Sequence, residues 1–186
     1  MISQRAKTGF EKLFPQYLEN ALRTGSHSSW RLQTVNAKKI ISKKFIMLTI
    51  SSYDFRLIVL LHFSADAASL KYVADSLKIS PAELSITQFH DYLSEAGSRL
   101  CGAIKRGLFQ FFPHLGMSTP HQLLFESMKF IGIIAADHTN HFNAKAVDGT
   151  EFYGSLYVSS AGELDFDPAT ISAQDDSLVM GALELF

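Results

Sequence analysis

Two apolar segments joined by a short polar turn constrain the fold of this chain more than any other feature. Phe45–Ser51 and Phe55–Phe63 are rich in Ile, Leu, Val and Phe, and only the turn around Tyr53 and Asp54 separates them. Apolar runs of this length, bounded by polar residues, are typical of buried strands. Strands joined by such a tight turn pair antiparallel, because a parallel pair requires a long crossover connection. The sequence therefore predicts a hairpin of buried strands.

Helical patterns precede and follow this hairpin. Apolar residues at helical spacing predict three helices, over residues 4–22, 67–78 and 86–112. The strand-like stretches that come after them are Leu123–Ala135, Phe142–Val147 and Phe152–Ser159. The turn Asp148-Gly149 joins the last two. Because a parallel sheet would need alternating strands and helices, this order predicts an α+β fold in which an antiparallel sheet carries its helices on one face.

The composition indicates a single folded domain with a reduced cysteine. The 186 residues are 47% apolar and include 15 phenylalanines, which is enough for a packed core. Cys101 is the only cysteine, so an internal disulfide is impossible and an oxidising compartment is not indicated. No apolar run reaches the length of a membrane span, and the first residues lack the apolar stretch of a secretory signal. We therefore expect a cytoplasmic protein with no membrane association.

The formal net charge of -1 hides an uneven distribution. Residues 161–186 contain six acidic residues and no Lys or Arg, which leaves 12 acidic and 17 basic residues in residues 1–160. The pattern predicts a folded domain over residues 1–160 and an acidic tail over residues 161–186, whose apolar end, Leu178–Phe186, could dock on the core. The basic excess suits an acidic partner but lacks the aromatic-interleaved stripe of a nucleic-acid-binding protein. Binding to DNA or RNA is therefore not expected.

The long helix has two distinct faces. Its apolar stripe, spaced by three and four residues and predicted to pack on the sheet, consists of Phe89, Leu93, Ala96, Leu100, Ile104 and Leu108. The opposite, polar side consists of Asp91, Glu95, Ser98, Gly102 and Lys105. Glycine costs a helix interior about 1 kcal/mol relative to alanine, so Gly97 and Gly102 need a reason to be present. We expect Gly97 to allow close packing and Gly102 to let a partner's backbone approach.

Six positions on and after this helix have the spacing of a known motif, and five of them also match it in residue type. They are Asp91, Glu95, Ser98, Gly102, Lys105 and Pro120. Their spacing resembles that of the CheX/CheC-type phosphatases of bacterial chemotaxis, whose motif differs at one position by having Asn where this chain has Ser98. The likeness extends more loosely from about Phe55 to Ser160. The single copy of the motif is closer to CheX than to CheC, in which the motif appears twice.

The resemblance implies a CheC-like fold and a phosphatase that hydrolyses the phosphoaspartate of a CheY-like response regulator. Glu95 would engage the lysine of the receiver domain, and Ser98 would stand where the family's Asn orients the attacking water, so these two are the candidate catalytic residues. The candidate partner-binding residues are Asp91, Gly102, Lys105 and Pro120. The receiver would supply Mg²⁺, so no cofactor or metal bound by this chain is expected. CheX-like proteins dimerise, which implies a homodimer.

Other interpretations of these residues remain open. Ser98 is shorter than asparagine and offers one donor on a rotating bond, so the chain could be a noncatalytic module that docks on a receiver domain through the same face. It could also be a structural oligomer formed by strand exchange. A metal site at Asp137, His138 and His141 is disfavoured, because no further ligand motif accompanies them. Cys101 is expected to be a buried core residue and not a reactive thiol.

Overall fold

The structure, a computed structural model, describes residues 1–24 and 29–171. Over these ranges the α-helices are α1 (Gln4–Leu22), α2 (Ala67–Leu77) and α3 (Ile86–Phe109). The strands are β1 (Trp30–Thr34), β2 (Lys44–Ser51), β3 (Phe55–Phe63), β4 (Gly116–Met117), β5 (His121–Leu124), β6 (His138–Ala146) and β7 (Glu151–Ser160). The three predicted helices are confirmed. None of the helices described here is both long and apolar enough to cross a bilayer.

The seven strands of the described ranges form one antiparallel sheet. Its order is β1-β6-β7-β3-β2, and both β4 and β5 pair with the outer edge of β2. The predicted hairpin is formed by β2 and β3, in register from Lys44↔Phe63 to Ser51↔Arg56. The second predicted hairpin is formed by β6 and β7, and Gly149 in its turn has φ of +91°, a conformation that favours glycine. The α+β fold with an antiparallel sheet is therefore confirmed.

The α-helices cover one face of this sheet. Along β3, Leu57, Val59 and Leu61 join the core beneath the helices, whereas Ile58 and Leu60 join a smaller cluster on the other face. On the helical face α1 and α3 contact each other, and α2 contacts α3. Because β3 is buried on both faces, its sequence is a nearly continuous apolar run. The prediction that the helices lie on one face is confirmed.

Local interactions fix α3 at its start and along its length. Ser85 caps the helix: its Oγ accepts a hydrogen bond from the Gln88 N–H at 3.2 Å, and the Gln88 side chain accepts one from the Ser85 N–H at 2.9 Å. Further along, a Cβ added to Gly97 would lie 3.0 Å from Leu48 Cδ1 and 3.2 Å from Ile46 Cγ2 in β2. Gly97 therefore permits the close packing expected from the sequence. The helix is held over β2 with its polar side outward.

The prediction of a strand over Leu123–Ala135 is wrong beyond Leu124. Phe125–Ile134 forms a 3₁₀-helical segment instead. Three of its apolar residues are spaced by three, the period of a 3₁₀-helix, and therefore line one side of it: Met128, Ile131 and Ile134. They pack on a cluster that consists of Phe45, Ile58, Leu60 and Tyr157. The apolar run thus covers the second face of the sheet and does not extend its edge.

The packed part of the chain continues beyond residue 160. Leu164 and Phe166 are buried in the main core, and Arg5 forms an ion pair with Asp165. The Phe166 ring also meets the Phe10 ring of α1 edge-on, with 5.1 Å between centroids. The first part of the predicted acidic tail is thus a component of the folded domain. The rest of that tail, with the docking segment proposed at Leu178–Phe186, lies outside the described residues.

Candidate protein-binding site on helix α3

The outward side of α3 carries the residues expected from the helical pattern. All six residues of the predicted apolar stripe are buried. Opposite them, Asp91 and Glu95 are exposed, and Ser98, Gly102 and Lys105 are half-buried. The structure therefore brings five of the six predicted site residues onto one helix surface. We call these five residues the outer face of α3.

Pro120, the sixth predicted residue, lies on a different element. It is half-buried in the loop between β4 and β5, three residues after Met117. The strand that precedes this loop contacts both β2 and α3. Pro120 therefore belongs to a segment that adjoins the helix, and it is separate from the outer face itself.

Glu95 presents a carboxylate to solvent near the middle of the helix. Its side chain is 70% exposed, and its Oε1 accepts a hydrogen bond from Arg99 Nη1 at 3.0 Å. Among the described residues, Oε2 accepts no hydrogen bond. A carboxylate has about four acceptor positions, so the Arg99 contact leaves capacity for a second cation. Glu95 can thus make a charge-assisted contact with a partner while it keeps its neighbour on the helix.

Arg99 was not identified from the sequence, although it organises this part of the surface. Its guanidinium contacts Glu95 through Nη1 and donates from Nη2 to the backbone carbonyl of Ala21 at 3.1 Å. The same guanidinium lies over the Tyr92 ring, 5.7 Å from its centroid. The Glu95–Arg99 spacing of four residues is the helical ion-pair pattern and could have indicated the first contact. The link to α1 depends on tertiary packing, which local spacing does not show.

The Ser98 hydroxyl is engaged within the helix. Its Oγ donates a hydrogen bond to the Ser94 carbonyl, one turn earlier, at 3.0 Å. Serines inside helices often bond in this way, in place of reaching outward. Because a hydroxyl has one proton, Ser98 in this rotamer can accept a hydrogen bond from a water or a partner but cannot donate one. Ser98 therefore has less reach and fewer donors than an asparagine would have at this position.

Gly102 leaves the helix backbone without a covering side chain on the outer face. A Cβ added there would meet Arg106 Nη1 at 3.5 Å, which is ordinary van der Waals contact with a flexible side chain. Packing within the chain therefore does not require glycine at this position, in contrast to Gly97 next to β2. The bare backbone at Gly102 is consistent with the close approach of another molecule. Lys105, less than one turn further along, adds a positive charge to that end of the face.

A histidine flanks the acidic end of the outer face. His90 is half-buried, and its Nε2 lies 3.4 Å from Lys44 Nζ in β2. Burial and the Lys44 charge lower the pKa of His90, while the adjacent Asp91 acts in the opposite direction. The neutral ring accepts a hydrogen bond from the ammonium group. At this end of the site the exposed carboxylate of Asp91 therefore lies beside a neutral imidazole.

His138, His141 and Cys101 do not belong to the outer face of α3. His138 and His141 are three residues apart on β6, so they point to opposite faces of the sheet. His138 Nε2 is 3.9 Å from Glu11 Oε1 in α1, whereas His141 Nδ1 is 2.9 Å from Ser155 Oγ in β7. In the part of the chain that the structure describes, no group of three or more His, Cys, Asp or Glu residues is placed to hold a metal ion. Cys101 is fully buried, and burial raises the pKa of its thiol to about 12, so it is a core residue.

The shape of the site suits a macromolecule. The outer face is one side of a helix, so it is convex. A surface depression of about 550 Å³ lies elsewhere, between the β2–β3 turn, Ile133, Ile134 and the end of β7. Small-molecule sites are usually concave and largely enclosed, whereas a rigid helix surface with isolated charges fits a groove on another protein.

The chain resembles known proteins in structure and not in sequence. No family model matches it, and no curated protein is similar to it in sequence. The chemotaxis protein CheX from Vibrio vulnificus superposes with a TM-score of 0.62 at 14% identity, covering 81% of this chain and 99% of that one. A chemotactic CheC-like protein from Shewanella oneidensis MR-1 gives a TM-score of 0.62 at 13% identity, with 82% and 99% coverage.

A third similar structure is a complex. CheX from Borrelia burgdorferi, solved with CheY, BeF₃ and Mg²⁺, has a TM-score of 0.58 at 11% identity and covers 81% of this chain and 96% of that one. At these identities the similarity shows the fold. The suspected resemblance is therefore confirmed at that level: this chain has the CheC-like α+β fold that these CheX and CheC-like chemotaxis proteins share.

Proposed function

We propose that this protein binds a phosphorylated CheY-like receiver domain through the outer face of α3 and promotes hydrolysis of its phosphoaspartate. The observation that carries the proposal is the pair Glu95 and Ser98, which lie three residues apart on α3. The fold that presents this helix is similar to that of a CheX protein solved in complex with CheY. Residues at this spacing project side by side from a helix. A cytoplasmic location, in which Cys101 would stay reduced, is part of the same proposal.

Hydrolysis of the phosphoaspartate requires this chain to supply little more than positioning. Phosphoryl transfer depends mainly on orientation and electrostatic stabilisation, and the receiver would provide the Mg²⁺ ion and its ligands. The open Oε2 of Glu95 would bind a lysine of the receiver. Asp91, Gly102 and Lys105 would contact the partner around it, and Pro120 would do so from the adjoining loop. This chain then needs no metal or cofactor of its own.

A second candidate is a docking module without catalysis. The Ser98 hydroxyl donates its hydrogen bond to the Ser94 carbonyl, and this observation favours the alternative, because Ser98 then offers the attacking water only an acceptor, on a shorter side chain than asparagine. Loss of one positioned hydrogen-bonding group costs about 10²-fold in rate in well-studied cases. Slow hydrolysis or none is therefore compatible with full receiver binding.

One experiment tests both candidates. The protein is mixed with a panel of phosphorylated receiver domains from its own organism, and complex formation and phosphate release are followed together. Binding of one receiver with accelerated phosphate release supports the phosphatase. Binding of a receiver whose phosphate release stays at the spontaneous rate supports the docking module. If no receiver binds, both functions are excluded.

A further inference from the structure

We infer that Arg99 is a positioning residue, which holds the Glu95 carboxylate in the orientation that docking requires and ties it to the end of α1. The expected effect of Arg99 on receiver affinity rests on the proposed function. The ordering of Glu95 by Arg99 rests on the contacts of Arg99 alone. It assigns a role to a residue outside the motif of the outer face.

Arg99 makes three contacts, two within α3 and one with α1. Nη1 lies 3.0 Å from Glu95 Oε1, Nη2 lies 3.1 Å from the Ala21 carbonyl near the end of α1, and the guanidinium lies over the Tyr92 ring. Ala21 and Tyr92 are both buried, so two of the three contacts are with rigid surroundings. Arg99 is therefore held by the fold, and Glu95 is held by Arg99.

The geometry of the arginine side chain suits this link. A guanidinium is planar and directs its two terminal nitrogens to different acceptors, so one group can bond Glu95 and the Ala21 carbonyl at once while stacking on an aromatic ring. The ammonium of lysine has no such fork and stacks poorly. A lysine at position 99 could reproduce the charge but not the arrangement.

Two opposing effects decide what the loss of Arg99 does to binding. Ordering one flexible side chain on association typically costs a factor of about two to ten in affinity, and Arg99 has already ordered Glu95. Against this, the Arg99 charge repels a lysine on the partner. At about 6 Å between two charges that both remain solvated by water, that repulsion is worth about threefold, and dissolved salt reduces it further. The ordering effect is larger, so we expect Arg99 to strengthen docking.

A double-mutant cycle tests the binding part. Affinity for a receiver domain activated with beryllofluoride and Mg²⁺ is measured for Arg99→Gln and Arg99→Lys, each with Glu95 and with Glu95→Gln. We expect Arg99→Gln to weaken binding about fivefold when Glu95 is present, and in the Glu95→Gln background to cause no weakening, because only the repulsion of the partner lysine is then removed. Arg99→Lys should recover only part of the loss. The control is Arg56→Gln, which removes an exposed arginine on the interior strand β3 and should leave the affinity unchanged.

Equal weakening in both backgrounds would show that Arg99 contacts the partner directly. Unchanged or tighter binding of Arg99→Gln when Glu95 is present would show that Arg99 does not position Glu95. Either result overturns the inference. A second measurement needs no partner. NMR scalar couplings report the rotamer populations of Glu95, which should be dominated by one rotamer in the wild type and become averaged in Arg99→Gln. If Glu95 is equally ordered in both proteins, the inference fails whatever the receiver does. If the wild type binds no receiver but Glu95 loses its order in Arg99→Gln, the proposed function fails and the positioning role stands.

Discussion

The Ser98 Oγ donates a hydrogen bond to the Ser94 carbonyl oxygen at 3.0 Å, and Ser98 is half-buried on the outer face. An asparagine at this position would project further and offer both an acceptor and two donors. We expect Ser98→Asn to raise phosphate release from the phosphorylated receiver at least tenfold, which corresponds to about 1.4 kcal/mol of transition-state stabilisation. The affinity for the receiver should not change, because the gain would arise only in the transition state.

Single-turnover phosphate release and equilibrium binding are measured on the same preparations of wild type and Ser98→Asn. Ser94→Ala is a suitable control, because it alters a neighbouring side chain and keeps the backbone carbonyl that Ser98 uses. If Ser98→Asn binds normally and releases phosphate no faster, the catalytic role of the outer face is wrong and the docking module replaces it.

His62 is a buried titratable residue far from this chemistry. It is fully buried, and its Nε2 lies 2.9 Å from Ser155 Oγ, which also lies 2.9 Å from His141 Nδ1. Its Nδ1 has no hydrogen-bond partner among the described residues. Burial, with a smaller effect of His141, lowers the pKa of His62 to about 3. The folded protein therefore holds His62 neutral where the unfolded chain would protonate it.

This difference makes stability depend on pH. Because the unfolded chain binds the proton more readily between about pH 6.5 and pH 3, the free energy of unfolding should fall as the pH drops through that range, by up to about 1.4 kcal/mol per pH unit from this residue. We expect His62→Gln, which cannot titrate, to reduce the loss of stability between pH 7 and pH 5 by about 2 kcal/mol. Urea unfolding at the two pH values measures it. An equal loss of stability in wild type and variant would contradict the role of His62, and exposed His114→Gln is the matched control.

At the level of elements, α3 and the 3₁₀-helical segment differ in how well their sequences predict them. The six apolar residues of α3 repeat over the whole helix, so the period alone indicated which side is buried and which side is free. The run Leu123–Ala135 is mostly apolar, although it contains Glu126 and Lys129, and it matches a buried strand equally well. Its spacing of three, from Met128 to Ile131 to Ile134, was the signal of the 3₁₀ conformation. Short apolar runs are ambiguous in this way because length and composition do not separate the two structures.

Gly102 allows the folding and binding roles of α3 to be separated. Replacing a helical glycine by alanine gains up to about 1 kcal/mol of stability where the new methyl group has room, and at Gly102 the nearest neighbour would be 3.5 Å away. We expect Gly102→Ala to raise the free energy of unfolding while weakening receiver binding, because the methyl group occupies the path of approach. Chemical denaturation and a binding titration measure the two effects.

Gly132→Ala is the matched control for this prediction. A Cβ at Gly132 would meet nothing within 4 Å, and the residue lies in the 3₁₀-helical segment on the other side of the sheet. Its substitution should leave receiver binding unchanged. If Gly102→Ala binds the receiver as tightly as the wild type, no partner backbone approaches at Gly102.

At the scale of the whole molecule, local patterns predicted the layers of the fold but not every contact between them. The hairpins follow from apolar runs joined by tight turns, and the helix faces follow from a period of about 3.6 residues; each segment carries these patterns by itself. The hydrogen bond from Arg99 to the Ala21 carbonyl joins residues 78 positions apart and depends on which helices become neighbours. The burial of Leu164 and Phe166 likewise depends on where the chain returns after β7. Contacts of this kind require the assembled structure.

The edges of the sheet bear on assembly. Over the described residues, β1 forms one edge and the short strands β4 and β5 form the other, and unpaired strand edges favour pairing with another chain. We expect a homodimer formed by joining sheets, with the symmetry usual for pairs of identical chains. Light scattering after size exclusion, over a range of concentrations, should give twice the mass of one chain. A monomer that persists at high micromolar concentration would contradict this expectation.

Docking of a receiver domain on the outer face of α3 depends above all on Glu95, and one titration tests this dependence. The receiver domain, activated with beryllofluoride and Mg²⁺, is titrated with wild type, Glu95→Ala and Glu126→Ala, which removes an exposed acidic residue from the 3₁₀-helical segment. Glu95→Ala should weaken binding at least tenfold and change the free energy of unfolding by no more than about 0.5 kcal/mol, because an exposed helical ion pair contributes little to stability. Glu126→Ala should bind as the wild type does. Equal affinities for all three proteins would show that the receiver does not dock on the outer face of α3.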